Sequence, residues 1–244
     1  MGSLEGKTAV VTGASSGMGA AVSRAFAAEG VRVVGGARRV ERIPEEAHPL
    51  PLDVTDPDSC AAFVEAAVAQ LGGVDLLINA AGLALGRDNV ADASEEDEAT
   101  VIDTNVRGLM RMTRLLLPSI RDGGHIVNMG SIAGRQPYEN AAVYIASKYA
   151  VRGFTYALRE DLLGRPIRLT TVDPGLVETD FSLVRFRGDE AQARAVYTGI
   201  DAMQPDDVAD CILFALTRPW HVNVDEIVVK ARNQASGGRI LRDA

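Results

Sequence analysis

Short apolar runs alternate with stretches of helical periodicity along nearly the whole chain. The runs fall at 7–12, 31–36, 49–52, 74–79, 124–130, 167–173 and 223–229. Between them, apolar residues recur three and four positions apart. Long apolar-faced helices are read over 98–121 and 141–163. Runs of period two or none, each followed by a helical pattern, predict βαβ units. They therefore predict an α/β fold: a parallel sheet of about seven strands with helices on both faces. No linker, repeat or low-complexity segment interrupts the alternation, so residues 1–244 are expected to form one domain.

Local signals place several helix ends. Asp56 can cap a helix that has Pro57 at its first position, and Gly72-Gly73 can end it. Ser94 can cap the helix that follows the fourth strand, with acidic residues in its first turn. Asn105 interrupts that helix's apolar face between Ile102 and Leu109. It is either exposed or buried with partners of its own. The segment from Val40 to Pro49 holds Pro44 and is too short for a full crossover helix, so a single turn is expected there.

Composition narrows the partners. The chain has 244 residues and a net charge of −8, which disfavours an extended phosphate backbone as ligand. Its 47% hydrophobic content is enough for a full core. The two cysteines, Cys60 and Cys211, lie in apolar helical patterns and read as buried free thiols of a reducing compartment. The stretch from Met1 to Lys7 does not resemble a signal peptide, and no apolar run is long enough to span a bilayer. A soluble cytoplasmic protein with neither nucleic acid nor membrane as partner is expected. His48, His125 and His221 have no ligand spacing, and Asp53, Asp56 and Asp58 read as a loop end and helix cap, so no metal site is expected.

The candidate chemistry begins after the first strand, at Thr12-Gly13-Ala14-Ser15-Ser16-Gly17-Met18-Gly19. Three glycines allow a sharp turn and a close approach of backbone to ligand. The following helix presents free N–H groups and a positive dipole end, which suit a phosphate. The second strand ends at Ala37, followed by Arg38 and Arg39. In dinucleotide folds an acid near this point grips the ribose 2′-hydroxyl, whereas arginine accommodates a 2′-phosphate. The arginines favour NADP(H) over NAD(H). Small residues at the end of the fourth strand, Ala80-Ala81-Gly82, leave room for a ligand.

Further on, the strand ending at Met129 runs into Gly130-Ser131, and Tyr144 and Lys148 follow. Four residues apart on a helix, they share one face. A nearby ammonium favours the phenolate and so lowers a tyrosine's pKa. With a serine hydroxyl close by, these are parts of an acid–base site for a carbonyl or alcohol.

In this order and spacing, Thr12 to Gly19, Asn79-Ala80-Ala81-Gly82, Asn105, Ser131, Tyr144-x-x-x-Lys148 and Pro174-Gly175 with Thr179 resemble the short-chain dehydrogenase/reductase family over nearly the whole chain. The resemblance implies a Rossmann-type doubly wound sheet and hydride exchange with C4 of a nicotinamide. It implies catalytic roles for four residues. Tyr144 exchanges the proton, Lys148 lowers the tyrosine pKa and binds the nicotinamide ribose, Ser131 hydrogen-bonds the substrate oxygen, and Asn105 holds a relay water. Gly13, Ser15, Ser16, Gly17, Met18 and Gly19 would face the pyrophosphate, Arg38 and Arg39 the 2′-phosphate, and Asp53 and Val54 the adenine. Asn79, Ala81 and Gly82 would lie along the cofactor, with Pro174, Gly175, Val177 and Thr179 toward the nicotinamide. Ala80 stands where the family usually has a second asparagine.

A narrower likeness, over 81–86, 102–105, 181–189 and 221–224, is to NADP-dependent 3-hydroxy acid dehydrogenases. It implies a small 3-hydroxy acid as substrate, a homotetramer, and a covering segment at about 175–203. Arg185 or Arg187 would then meet the substrate carboxylate through paired N–H bonds. A reductase of bulkier ketones or aldehydes is the alternative, and a non-catalytic NADP(H)-sensing regulator another.

Overall fold

The computed structural model describes residues 3–242. Met1 and Gly2, part of the N-terminal stretch considered above, lie outside them. Seven strands form one sheet: β1 (Thr8–Thr12), β2 (Arg32–Ala37), β3 (Ala47–Pro51), β4 (Val74–Asn79), β5 (Ile120–Met129), β6 (Ile167–Pro174) and β7 (Glu226–Val229). Every neighbouring pair is parallel, in the order β3-β2-β1-β4-β5-β6-β7. The chain walks outward from β1 to β3, then returns to the other side of β1 with β4. The crevice where the order reverses is where open α/β sheets bind ligands.

The helices are α1 (Gly17–Ala28), α2 (Pro57–Leu71), α3 (Glu95–Ile102), α4 (Leu109–Leu116), α5 (Ala142–Asp161), α6 (Phe181–Arg185), α7 (Glu190–Tyr197) and α8 (Pro205–Leu216). Alternate strand residues feed two separate cores. Ala9, Val11, Leu76 and Ile78 join α1 and α8 on one face, through Val22, Phe26, Val208 and Ile212. Val10, Val74 and Leu77 join α2, α4 and α5 on the other, through Phe63, Met112, Leu116 and Leu158. Both faces are covered, which is why the strands read as continuous apolar runs.

The caps form as their residues dictate. The Asp56 side chain accepts from Asp58 N (3.0 Å), Pro57 opens α2, and Gly72 closes it at φ +71°. Ser94 caps α3 by accepting from Asp97 N (3.4 Å). Between Val40 and Arg42 there is only a 3-10 turn.

Several boundaries differ from the sequence expectation: β3 covers Ala47–Pro51 where 49–52 was expected, and β5 starts at Ile120 where 124 was expected. The helix expected over 98–121 is broken. α3 ends at Ile102, a wider π turn spans Asp103–Gly108, α4 follows, and a 3-10 turn at Leu117–Ser119 leads into β5 at Ile120. Pro118 lacks the N–H needed to carry the helix further. The helix expected over 141–163 is α5, with slightly shorter bounds. β7 starts at Glu226 because Asn223, counted as strand, pairs with β6 through its side chain. Its Oδ1 accepts from Leu169 N and its Nδ2 donates to Leu169 O, both at 2.9 Å. Among the described residues no helix is long and apolar enough to cross a membrane, and no cluster of His, Cys, Asp and Glu could hold a metal ion.

Candidate active site

The glycine turn is laced to its neighbours on both sides. Gly13 N and Ala14 N donate to Gly36 O of β2 (2.8 and 3.2 Å), while Thr12 Oγ1 accepts from Ala80 N and Ala81 N beyond β4 (both 3.1 Å). A Cβ on Gly13 would stand 2.8 Å from the Ala81 backbone, and one on Gly19 would stand 2.3 Å from Gly13 O. Glycine is required at both places. Ser16 precedes α1 without capping it through its side chain, and the first turn of α1 holds no acid. Its free N–H groups therefore face the cleft, a geometry that fits an anion.

The cleft is lined by Gly13, Ser15, Ser16, Gly17, Met18, Gly19, Arg38, Arg39, Asp53, Val54, Ala81, Gly82 and Thr179. Arg39 reaches back to Ser16 Oγ (3.2 Å), whereas Arg38 makes no ion pair among the described residues. Burial opposes ionisation of Asp53, yet hydrogen bonds from Thr55 and the charge of Arg38 outweigh it and hold the carboxyl below its ordinary value. Asn79 is placed differently from the expectation. It is buried beneath the cleft, where Nδ2 donates to Thr113 Oγ1 and Asn128 Oδ1 (both 2.9 Å), and it does not line the cavity.

A second cavity of about 280 Å³ continues the cleft. Ser131, Tyr144, Lys148, Pro174, Gly175, Val177 and Thr179 all face it. Tyr144 and Lys148 share one face of α5, and the Lys148 Nζ lies 5.9 Å from the Tyr144 ring centroid. That ammonium is buried and donates to Met129 O (2.9 Å). Burial lowers the Lys148 pKa to about 8, with the Asp173 carboxylate acting in the opposite direction.

The phenol departs from the sequence expectation. Burial pushes the Tyr144 pKa well above its ordinary range, Tyr138 adds to the rise, and the Ser131 hydroxyl and the Arg185 charge act to lower it. The desolvation of the ring outweighs any help from the cation one turn away.

Asn105 lies within the π turn and is 1% exposed, which settles its two sequence alternatives. Its Oδ1 accepts from Leu83 N (2.8 Å), and its Nδ2 donates to Leu83 O (2.8 Å) and Ser147 Oγ (3.1 Å). The side chain braces the loop after β4 against α5. π turns concentrate at functional sites.

The two candidate arginines separate clearly. Arg187 has φ +53°, pairs with Asp97 outside the cavity, and does not line it. Arg185 faces the cavity, with its guanidinium 5.8 Å from the Tyr144 ring centroid and 5.7 Å from that of Tyr138. It is held by Gly86 O (3.0 Å) and Tyr138 Oη (3.1 Å). The sequence reading missed the rest of this wall. Tyr138, Tyr197, Arg87 and the C-terminal residues Gln234, Ile240 and Arg242 close it. Gln234 Oε1 accepts from Leu176 N (2.8 Å), and Arg242 donates to the Ala195 (3.4 Å) and Val196 (3.2 Å) carbonyls at the end of α7. No periodicity marks these residues; the small glycines at 237 and 238, which pack on Tyr138, were the one local signal.

This crevice, cradle and acid–base cluster define a dinucleotide-dependent oxidoreductase. The family model described as short chain dehydrogenase matches residues 7–189. The chain is 42% identical to the NADP-dependent 3-hydroxy acid dehydrogenase of Schizosaccharomyces pombe, covering 99% of each. It is 36% identical to the serine 3-dehydrogenase of Agrobacterium fabrum, covering 95% of this chain and 96% of that one. Among solved structures, the closed form of serine dehydrogenase complexed with NADP+ superposes with a TM-score of 0.91 at 38% identity, covering 97% of this chain and all of the other. The chain belongs to the short chain dehydrogenase family.

The lowered Lys148 pKa has a consequence for stability. The unfolded chain binds this proton more tightly than the folded protein, so stability rises with pH between about 8 and the ordinary value of 10.5. Tyr144 opposes this above its ordinary value of 10.0, because the folded state then holds the extra proton. Urea midpoints measured from about pH 8 to 10 are expected to rise in the native protein and to lose that rise in Lys148→Met. An equal rise in the variant would assign the effect to another group.

Proposed function

We propose that this protein is an NADP(H)-dependent dehydrogenase that interconverts the 3-hydroxyl of a small 3-hydroxy acid and the corresponding carbonyl. The observation that carries this reading is the convergence of Ser131, Tyr144, Lys148 and Arg185 on one cavity at the mouth of the glycine cradle. Gly13 to Gly19 would hold the pyrophosphate, and Arg38 and Arg39 the 2′-phosphate. When bound, the cofactor supplies the hydride donor or acceptor at its nicotinamide C4 and, when oxidised, a positive charge beside the phenol.

The remaining work falls to side chains of this chain. The Tyr144 hydroxyl gives its proton to the carbonyl oxygen in reduction and withdraws it from the alcohol in oxidation. A phenol raised by burial stays protonated but gives up its proton less readily, so a positive charge supplied on binding would help it to release the proton. Ser131 holds the same oxygen by hydrogen bonding. Lys148, with its pKa near 8, carries a charge that is easily altered by what binds beside it. Arg185 is pre-positioned by Gly86 and Tyr138 to take a carboxylate in paired bonds. Arg87 and Arg242 add positive charge to the wall, and no Asp or Glu lines the cavity among the described residues. That balance favours an anionic substrate. The aromatic wall of Tyr138, Phe181 and Tyr197 also supports a second reading, reduction of a bulkier ketone.

We further infer one domain, a cytoplasmic setting and a tetramer. Half-exposed Tyr149 and Tyr156 on α5, Met110 on α4 and Phe214 on α8 support association, since apolar surface gathered on helices marks interfaces.

Tyr144→Phe is expected to lower kcat by about 10²- to 10⁴-fold, the usual weight of a positioned acid or base. Native turnover in that variant would overturn the mechanism. Arg185→Leu should raise KM for a 3-hydroxy acid and leave a neutral alcohol almost unaffected; equal effects on both would favour the ketone reading. Arg38→Asp should move cofactor preference from NADP+ toward NAD+, read by titration with each. Sedimentation equilibrium should show four chains per particle, and a lone chain at working concentration would end the tetramer reading.

A further inference from the structure

We propose that Asp173, near the end of β6, is a positioning residue: its carboxylate holds the turn that begins at Ser131, so that the serine hydroxyl meets the substrate oxygen. This rests on the role proposed above for Ser131. Three consecutive residues at the end of β5 are each pinned, the first by α5 and the next two by β6. Met129 O accepts from Lys148 Nζ (2.9 Å), Gly130 N donates to Val172 O (2.8 Å), and Ser131 N donates to Asp173 Oδ1 (3.1 Å). A Cβ on Gly130 would fall 1.8 Å from that same Oδ1, so only glycine lets the carboxylate come this close.

The other carboxylate oxygen takes Arg135 Nε (2.6 Å). Asp173 therefore grips both ends of the Ser131–Arg135 turn, the first residue by its main chain and the last by its side chain. The brace continues outward. Arg135 pairs with Glu226 of β7 (2.5 Å), and Glu226 accepts from Arg152 Nε (3.1 Å) and Tyr156 Oη (2.6 Å), both on α5. Asp173 thus fixes the turn that bears Ser131 to β6, and its partner Arg135 carries the tie on through Glu226 to the helix that bears Tyr144 and Lys148.

Fold stability alone accounts poorly for this arrangement. Asp173 is 2% exposed, and a buried ion pair is often no better for stability than apolar residues of the same volume. The charges facing Asp173 are Arg135 on its turn, Glu226 on β7, and Lys148 with the Tyr144 phenol on α5. Its negative charge raises the proton affinity of both Tyr144 and Lys148.

The test compares Asp173→Asn, Asp173→Ala and Ser131→Ala, singly and combined, in alcohol oxidation with NADP+. Asp173→Ala is expected to lower kcat by about ten- to a hundredfold, the scale of a misplaced catalytic group, with KM for NADP+ within about twofold. Asp173→Asn keeps an acceptor for Ser131 N and should lose less, while the rising limb of its kcat/KM profile moves to lower pH. In the Ser131→Ala background, Asp173→Ala should change kcat little. Folded Asp173 variants with native kcat and an unmoved limb would overturn the proposal, as would a full additional loss in the Ser131→Ala background. Failure of both Asp173 variants to fold would also overturn it by assigning the carboxylate to the fold. Native activity in Ser131→Ala alone would instead remove the reading on which it rests.

Discussion

A buried ammonium with a single main-chain partner governs the architecture of this site. Lys148 is 7% exposed and donates to Met129 O, the last carbonyl of β5. Burying such a charge is unfavourable, and one neutral acceptor does not compensate for lost water. The sheet makes the arrangement possible because β5 ends at the crevice, where its carbonyl is free to accept. The α5 helix makes it specific because four residues bring Lys148 under Tyr144. The cation is therefore held in reserve, its proton loosened by burial, at the point where a charged ligand would alter it most. Its cost helps explain why the surrounding turn is tied down so thoroughly.

That tying extends across the strand ends. Gly36 O, Thr12 Oγ1 and Val172 O each anchor a chain segment leaving a neighbouring strand. The anchors work only where no Cβ intrudes, at Gly13 and Gly130. Asn79, Asn128, Thr113 and Thr155 form a second layer below, joined side chain to side chain at 2.9 Å. Hydrogen-bonded buried polar networks rigidify and specify a core; in this one Asn79 Oδ1 is left without a partner among the described residues. Here they lie between β4, β5, α4 and α5, the elements that carry the site, and they give the Asn79 side chain a structural task beneath the cleft.

Much of this was legible from local chemistry. The inner strands were marked by apolar runs because both faces of the sheet are buried there, whereas the edge strands β3 and β7 are largely half-buried or exposed. Asp56-Pro57, Gly72 and Ser94 marked helix ends because capping is settled within a few residues. Ser131, Tyr144 and Lys148 were legible as a set because their order along the chain is specific. What escaped depended on distance in the chain. A helical period over 98–121 could not reveal the π turn at Asp103–Gly108, since the apolar pattern runs through it. Arg185 and Arg187 are two residues apart and chemically alike. Only the fold shows that one is held at Gly86 and Tyr138 while the other turns out to Asp97. Asp173 was hidden for the same reason. An acid before Pro174-Gly175 has no visible partner until β6 is laid beside β5.

The closing of the cavity follows the same logic and bears on selectivity. Its inner end, at Ser131, Tyr144 and Lys148, is built from the sheet and α5. Its outer end is built from α6, α7 and the C-terminal stretch, which touch the sheet at few points. Arg185, the last residue of α6, stands at the boundary between them, held by Gly86 and Tyr138 of the loops that follow β4 and β5. A guanidinium held on two sides loses little conformational freedom when it binds a planar anion. Placing it over the Tyr144 ring also couples recognition to chemistry, because its charge lowers the proton affinity of the phenol. On the function proposed here, a substrate carboxylate on Arg185 would offset that charge, and Tyr144 would respond to the acidic end of the molecule as well as to the oxygen beside it.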